Sequence, residues 1–244
     1  MNTNPASLIS PRLLGHFAVF QSRLGLWRLR TRFAARRLAW RWYVESFDVM
    51  KRGVDVIGSV AALLVLSPLL VPIALLIRLD GGPAFFAQTR VGRFGRRFRM
   101  FKFRSMRPDA EQRLAALLAA NQHAAGVTFK MKHDPRITWI GQWLRRFSVD
   151  ELPQFYNVLI GDMSLVGPRP PVPREVACYT LADRRRLFAK PGITCTWQVS
   201  GRANIDFLGQ VRLDVDYIEN QSLGRDLGIL LRTPRAVVFG SGAY

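Results

Sequence analysis

From Ile57 to Ile77 the chain runs 21 residues without a charge. At about 1.5 Å per residue a helix of that length can cross a bilayer's hydrocarbon layer. Ser67-Pro68 sits at its middle. Proline removes a backbone N–H and crowds the carbonyl of Leu64, and Ser67 can hydrogen-bond a freed carbonyl, so the pair predicts a bend. Charge adds a second constraint. Residues 23–52 carry nine Lys/Arg against two acids, and residues 78–107 carry nine against one. The positive-inside tendency keeps both flanks on the cytoplasmic side. A helix that enters, bends at Ser67-Pro68 and returns satisfies both constraints; a kinked single crossing is the alternative.

The surroundings fit a membrane surface. Between Arg23 and Tyr43, seven arginines alternate with Trp27, Phe33, Trp40, Trp42 and several leucines. Arginine and tryptophan on one helix suit the headgroup layer and anionic lipids; a solvated basic helix or an RNA-binding tail is the other reading. Asp55 follows Lys51 by one helical turn, where a pair would hold charge at the boundary. Asp80-Gly81-Gly82-Pro83 then turns the chain. Phe101 to Ser105 alternates, predicting a short strand with Lys102 and Arg104 on its basic face. An Ala/Leu-rich helix is predicted from Asp109 to about Gln122.

The net charge of +19 calls for an anionic partner without choosing among nucleic acid, lipid headgroups and phosphorylated substrates. Cys178 and Cys195 have neither metal nor redox spacing and read as free thiols in a reducing compartment. His16, His123 and His133 are scattered, which argues against zinc. The first twenty residues lack the pattern of a cleavable signal peptide.

Against this basic background stands an acidic pair, Asp150-Glu151, within Phe147 to Asn157. Pro153 belongs among the first positions of a helix, so the N-cap falls no earlier than Asp150. The pair could be capping residues. It could instead supply a nucleophile or metal ligand at Asp150, with Glu151 as its partner. The nearby Gly167-Pro168-Arg169-Pro170 favours the second reading, because prolines on both sides fix the arginine that would grip a phosphate. Lys102, Arg104 and Arg169 are the candidates for stabilising charge on a pyrophosphate. Asp162, after Gly161, reads as a turn residue. No Gly-x-x-x-x-Gly-Lys-Ser/Thr loop calls for ATP.

These segments resemble the bacterial sugar transferase family, the monotopic polyprenyl-phosphate phosphoglycosyl transferases. The resemblance rests on Lys51-Arg52-x-x-Asp55, Leu66-Ser67-Pro68-Leu69, Arg90-Val91-Gly92, Lys102-Phe103-Arg104-Ser105-Met106, Asp150-Glu151-Leu152-Pro153-Gln154, Gly161-Asp162-Met163-Ser164 and Gly167-Pro168-Arg169-Pro170. It continues through Pro191-Gly192-Ile193-Thr194, Trp197-Gln198-Val199-Ser200-Gly201-Arg202 and Gly242-Ala243-Tyr244, covering roughly residues 51 to 244. It implies a membrane-associated, monotopic α/β fold with a re-entrant helix broken at Ser67-Pro68, interfacial amphipathic helices, and a compact cytosolic catalytic domain with few short strands. The expected divisions are a basic amphipathic extension over 1–50, a re-entrant helix over 51–82 and a catalytic domain over 83–244. The implied reaction transfers hexose 1-phosphate from a UDP-hexose to undecaprenyl phosphate and releases UMP, at the inner membrane's cytosolic face, in exopolysaccharide or O-antigen assembly. Asp150 would form a covalent phosphosugar intermediate with Glu151 beside it, both near Mg²⁺, while Lys102, Arg104 and Arg169 hold phosphates. Where the family often has Gly-Leu before Trp-Gln, this chain has Cys195-Thr196. The region after Pro191 is a candidate contact for a homodimer. Nucleic acid is not an expected partner; the rival readings, a nucleic-acid-binding membrane protein or an inert scaffold, leave Asp-Glu and Gly-Pro-Arg-Pro unexplained.

Overall fold

The computed structural model describes residues 23–79, 81–110, 112–113, 134–201 and 204–239. The chain divides into two compact units, Met1–Lys51 and Arg52–Tyr244. The predicted helix from Asp109 is described only at its start, where residues 112 and 113 are helical. Asp80, Arg202, residues 1–22 and the closing Gly242-Ala243-Tyr244 lie outside the described residues.

Helix α1, Arg23–Arg78, carries both Pro68 and Pro72 inside it. Its first part, within residues 23–51, exposes Leu24, Trp27, Leu38 and Trp42 on one face. Phe33 and Trp40 are exposed on the opposite face, at about 100° per residue.

From Ser46 to Arg78 the helix is long and apolar enough to cross a membrane. Helical structure continues through Ser67-Pro68, and Ser67 Oγ donates at 2.8 Å to the Leu64 carbonyl, the group that Pro68 leaves without its N–H partner. Val60, Leu64, Val65 and Leu69 in this middle stretch are exposed.

Both ends of the 52–78 stretch are anchored to the same body. Near its start, Arg52 donates from Nη1 and Nη2 to the carbonyls of Val158 and Leu159, at 2.6 and 2.7 Å. Asp55 is buried and accepts from Ser164 Oγ and Leu165 N. Near its end, Ile77 packs with Phe103, Ile140 and Leu144, joined by Leu70, Ile73 and Ala74. Burying each large aliphatic side chain there is worth about 1.5–3 kcal/mol.

The body is a mixed arrangement of helices and short strands, as the sequence predicts. Strands β1 (Phe85–Val91) and β2 (Arg97–Phe103) form an antiparallel hairpin, with Phe85 opposite Phe103 and Val91 opposite Arg97. Helix α2 (Trp139–Arg146) presses on the residues after β2, so closely that a Cβ at Gly141 would sit 1.9 Å from the Ser105 carbonyl. A 3-10 turn, Val149–Glu151, leads into α3, Gln154–Ile160. Strand β3 (Ser164–Val166) pairs in parallel with β4 (Gly192–Thr194). Between these strands come α4 (Pro173–Ala177) and a 3-10 helix, Asp183–Phe188. Helices α5 (Thr196–Ser200), α6 (Phe207–Glu219) and α7 (Leu223–Phe239) complete the described chain. Phe98, Met100, Val158, Met163, Val166, Tyr217 and Ile229 make the main core, which joins β2, α3 and β3 to the last two helices.

Candidate active site

Asn157 explains how the acidic pair meets the basic strand. Its side chain is fully buried, accepting from Phe101 N at 2.9 Å and donating to the Arg99 carbonyl at 2.8 Å. It completes backbone groups on the β2 edge away from β1, which burial would otherwise leave unpaired. The start of α3 is thereby fixed beside Lys102. At the other end of α3, Gly161 adopts a left-handed φ of 91°, and Arg52 supplies donors to the last carbonyls, where a cation also suits the helix dipole.

Asp150 and Glu151 do not cap α3. They occupy the 3-10 turn ahead of it, entered through Ser148 at a left-handed φ of 52°, while Pro153 takes the cap position. Lys102 Nζ lies 2.6 Å from Glu151 Oε1 and 3.9 Å from Asp150 Oδ2. Burial raises the Asp150 carboxyl above its ordinary pKa, against the pull of Lys102. Burial also opposes ionisation of Glu151, but Lys102 and then Arg169 outweigh it and hold that carboxyl below its ordinary value. Neighbouring acids thus differ in their readiness to ionise. Arg145, which donates to Ser105 Oγ at 3.0 Å, adds positive charge near Asp150.

The arginine turn is clamped from both sides. Gly167 and Gly192 face each other so closely that a Cβ on Gly192 would lie 2.1 Å from Gly167 N. Gly167 N donates to the Thr194 carbonyl and Gly192 N to that of Pro168. Arg90 on β1 donates from Nη1 to the Pro170 carbonyl and from Nε and Nη2 to Gln88. Burial, and then the neighbouring Arg169 charge, bring the Arg90 guanidinium down to about 10, which leaves it protonated at neutral pH. Arg169 itself is exposed, its guanidinium 6.0 Å from the centre of the Trp197 ring.

Lys102, Glu151 and Arg169 line one cleft, together with Arg90, Gln154 and Gln198. Asp150, 7 % exposed, does not line it but lies 3.9 Å from Lys102 Nζ, so Glu151 is the acid that lines the cleft. Arg104 is not brought to this cleft. It is buried at the end of the α1 stretch and donates from Nη2 to the Ile77 carbonyl at 2.8 Å. Strand alternation stops at Phe103, and Arg104 lies beyond the strand end, which is why its expected place beside Lys102 fails. Ser67 and Pro68 remain within α1. Arg90, Arg145, Gln154 and Gln198 were not among the expected site residues. Arg90 and Gln154 fall in motifs already noted, whereas nothing local to Arg145 signals its proximity to Asp150.

Behind Arg169, Trp197 is buried beside Asp214. Asp214 is ion-paired with the buried Arg186, which also donates to Tyr179 Oη at 3.1 Å. Burial pushes the Asp214 carboxyl up to about 6 in spite of Arg186. Burial, and then the Asp214 charge, keep Cys195 a neutral thiol; Cys178 is likewise unpaired by any disulfide. Among the described residues no group of three His, Cys, Asp or Glu side chains could hold a metal. Mg²⁺ asks for less: one or two carboxylates suffice when substrate phosphates complete the shell, and Asp150 with Glu151 is such a pair.

Residues 46–240 match the bacterial sugar transferase family. The chain is 52% identical over 204 residues to the galactosyl transferase CpsE of Streptococcus agalactiae serotype III, a match that spans 83% of this chain and 45% of that protein. It is 41% identical over 229 residues to an undecaprenyl-phosphate galactose phosphotransferase of Salmonella typhimurium, spanning 93% of this chain and 46% of that one. With the exopolysaccharide production protein ExoY of Rhizobium meliloti the identity is 39% over 198 residues, spanning 80% and 88%. The chain thus covers under half the length of the first two relatives and most of the third.

Proposed function

Since the chain belongs to the bacterial sugar transferase family, we propose that it transfers hexose 1-phosphate from a UDP-hexose to undecaprenyl phosphate and releases UMP. The observation that carries this reading is the buried Asp150 carboxylate, 3.9 Å from Lys102, the lysine that lines one cleft with Glu151 and Arg169. An anionic nucleophile surrounded by fixed cations is what attack on a pyrophosphate requires. The names of the relatives, a galactosyl transferase and an undecaprenyl-phosphate galactose phosphotransferase, support the same chemistry and favour galactose as the hexose.

In the proposed first step an Asp150 carboxylate oxygen attacks the β-phosphorus of UDP-hexose. The bond from that phosphorus to the oxygen bridging the two phosphates breaks, and UMP leaves with the electron pair. In the second step the phosphate oxygen of the lipid attacks the same phosphorus and displaces Asp150. One phosphoanhydride replaces another, so no separate energy source is needed. Lys102 holds both acids in place and lowers the cost of ionising Asp150. Arg169, on its clamped turn, offers a guanidinium whose ordering costs little at the moment of binding. Mg²⁺ held by Asp150, Glu151 and the substrate phosphates would neutralise charge that develops on the departing UMP.

The proposed setting is the cytosolic face of the inner membrane, with the α1 stretch re-entrant. Two sets of contacts support that topology: Arg52 and Asp55 near one end and Ile77 near the other dock on one catalytic body. A helix crossing the hydrocarbon layer would separate those ends by about 30 Å, on opposite sides. Trp139, Trp143 and Arg146 are exposed on α2, whose inner face packs against the end of that stretch. Such a face suits the headgroup layer and its anionic lipids.

The deciding experiment measures UMP release by nanodisc-held protein with Mg²⁺ and a panel of UDP-sugars, with and without undecaprenyl phosphate. Release that depends on the lipid is expected. Release indifferent to the lipid would make the protein a hydrolase of the same donors.

A further inference from the structure

Gln198 carries a polar atom that the chemistry above does not use. Its side-chain carbonyl oxygen, Oε1, is buried and has no hydrogen-bond partner, although the residue lines the cleft beside Arg169 and Glu151. Leaving a buried acceptor unpaired is costly, and such groups in native proteins call for an explanation. The cations at hand do not satisfy it: Arg90 is spent on Gln88 and Pro170, and Lys102 bonds Glu151. Gln198 sits on the short helix α5, next to the buried Trp197, with Gly201 N donating to the Trp197 carbonyl.

We propose that Gln198 is a specificity-determining residue that accepts a hydrogen bond from an uncharged N–H or O–H group of the nucleotide sugar. The inference rests on the transferase reading and deepens it. An ionised phosphate has no proton to donate, so Oε1 does not face the pyrophosphate. The remaining donors of such a substrate are the uracil imide and the hydroxyls of its sugars. A site built around one of these donors discriminates strongly, because an analogue lacking it leaves the acceptor unpaired again.

The test is equilibrium binding of UMP, UDP-galactose and UDP-glucose to the full chain in nanodiscs, comparing wild type with Gln198→Leu. The variant is expected to bind at least one ligand about tenfold more weakly, as loss of one buried hydrogen bond predicts. Weakening of UMP and UDP-hexose alike assigns the donor to the uridine, and weakening of UDP-hexose alone assigns it to the hexose. Wild type alone supplies a second readout, so the test does not depend on the variant folding: N3-methyl-UMP or a deoxy UDP-hexose should lose a similar factor. Unchanged binding by a folded Gln198→Leu, or analogues that all bind like their parents, overturns the proposal. Wild type that binds UMP and the UDP-hexoses but is indifferent to Gln198→Leu leaves the transferase reading intact; wild type that binds none of them removes both.

Discussion

Arg90 donates through Nη1 to the carbonyl oxygen of Pro170 at 2.8 Å, while Nε and Nη2 both hold Gln88 Oε1. One planar guanidinium therefore ties β1 to the turn that carries Arg169. Together with the bond from Val91 N to the Pro171 carbonyl, it stops that turn from sliding along the hairpin. Lysine could keep the charge but make only part of this fork. Arg90→Lys should lower kcat/KM for UMP release by about 10–100-fold, since small misplacements of a positioned group cost that much. An unchanged kcat/KM would show that Arg169 is held well enough by its prolines and by Gly167 alone.

Lys102 favours the ionised form of both acids against the effect of burial, and this can be read from a pH profile. In the proposed reaction Asp150 attacks as the carboxylate, and burial holds its folded pKa above the ordinary 3.8. Activity should therefore fall as pH drops through a value above 3.8, with the lost limb on the acid side. Lys102→Met removes the largest influence that lowers it, so the acid limb of kcat/KM should move to higher pH. A limb that stays in place would mean that another group controls it.

Asp150 illustrates a conflict between function and stability. Its carboxyl binds a proton more tightly in the folded protein than in the unfolded chain. Its contribution to stability is thus present at low pH and is lost as pH rises from about 3.9 through the folded value. At neutral pH Asp150→Asn should leave the melting temperature equal or higher while abolishing UMP release and any covalent phosphosugar adduct. Glu151→Gln is the necessary control, because Glu151 is the acid that lines the cleft. An adduct trapped by mass spectrometry in Asp150→Asn but absent from Glu151→Gln would exchange their roles.

The sequence points to the proposed chemistry more fully than to the geometry. Asp150 and Glu151 stand out because two negative charges sit in a basic background, and Arg169 because prolines flank it. Arg104 was misplaced because alternation of side chains holds only while a strand lasts, and β2 ends at Phe103. The Ser67 hydroxyl is legible as the partner of the carbonyl that Pro68 frees, and it bonds the Leu64 carbonyl within a helix that runs on to Arg78. Asn157 and Asp55 act across 56 and 109 residues of sequence respectively. No local pattern encodes such contacts; only the packed fold brings a side-chain amide to a strand edge or a carboxylate to the start of β3.

The Asp214–Arg186 pair behind Trp197 should be structural, with an indirect effect on Arg169. Both side chains are at most 5 % exposed, and Arg186 would remain a buried, uncompensated charge without its partner. Asp214→Ala should therefore destabilise by about 3–5 kcal/mol, measured by denaturant unfolding in detergent. Asp214→Asn, which keeps a hydrogen-bond acceptor, should cost less. If both variants unfold like wild type, the pair contributes packing and nothing more.

The last expectation concerns which side of the membrane each end of the α1 stretch occupies. Arg52 holds the final carbonyls of α3, and Asp55 holds Ser164 and Leu165. The other end, at Ile77, is buried with Phe103 and accepts from Arg104. Both anchors are made to elements of one body, and a folded catalytic body cannot lie on both faces of a bilayer. Cysteines placed at Met50 and Leu79, both exposed positions, should therefore react from the same side in intact cells. The background needs Cys178→Ser, because Cys178 is an exposed thiol, whereas Cys195 is buried and neutral. Reaction from opposite sides would mean a crossing helix, and would require one of the two anchors to be absent in the membrane. Arg104→Met then becomes informative. If the Ile77 anchor keeps that end on the cytosolic side, removing its only described side-chain hydrogen bond should increase labelling at Leu79 from the far side.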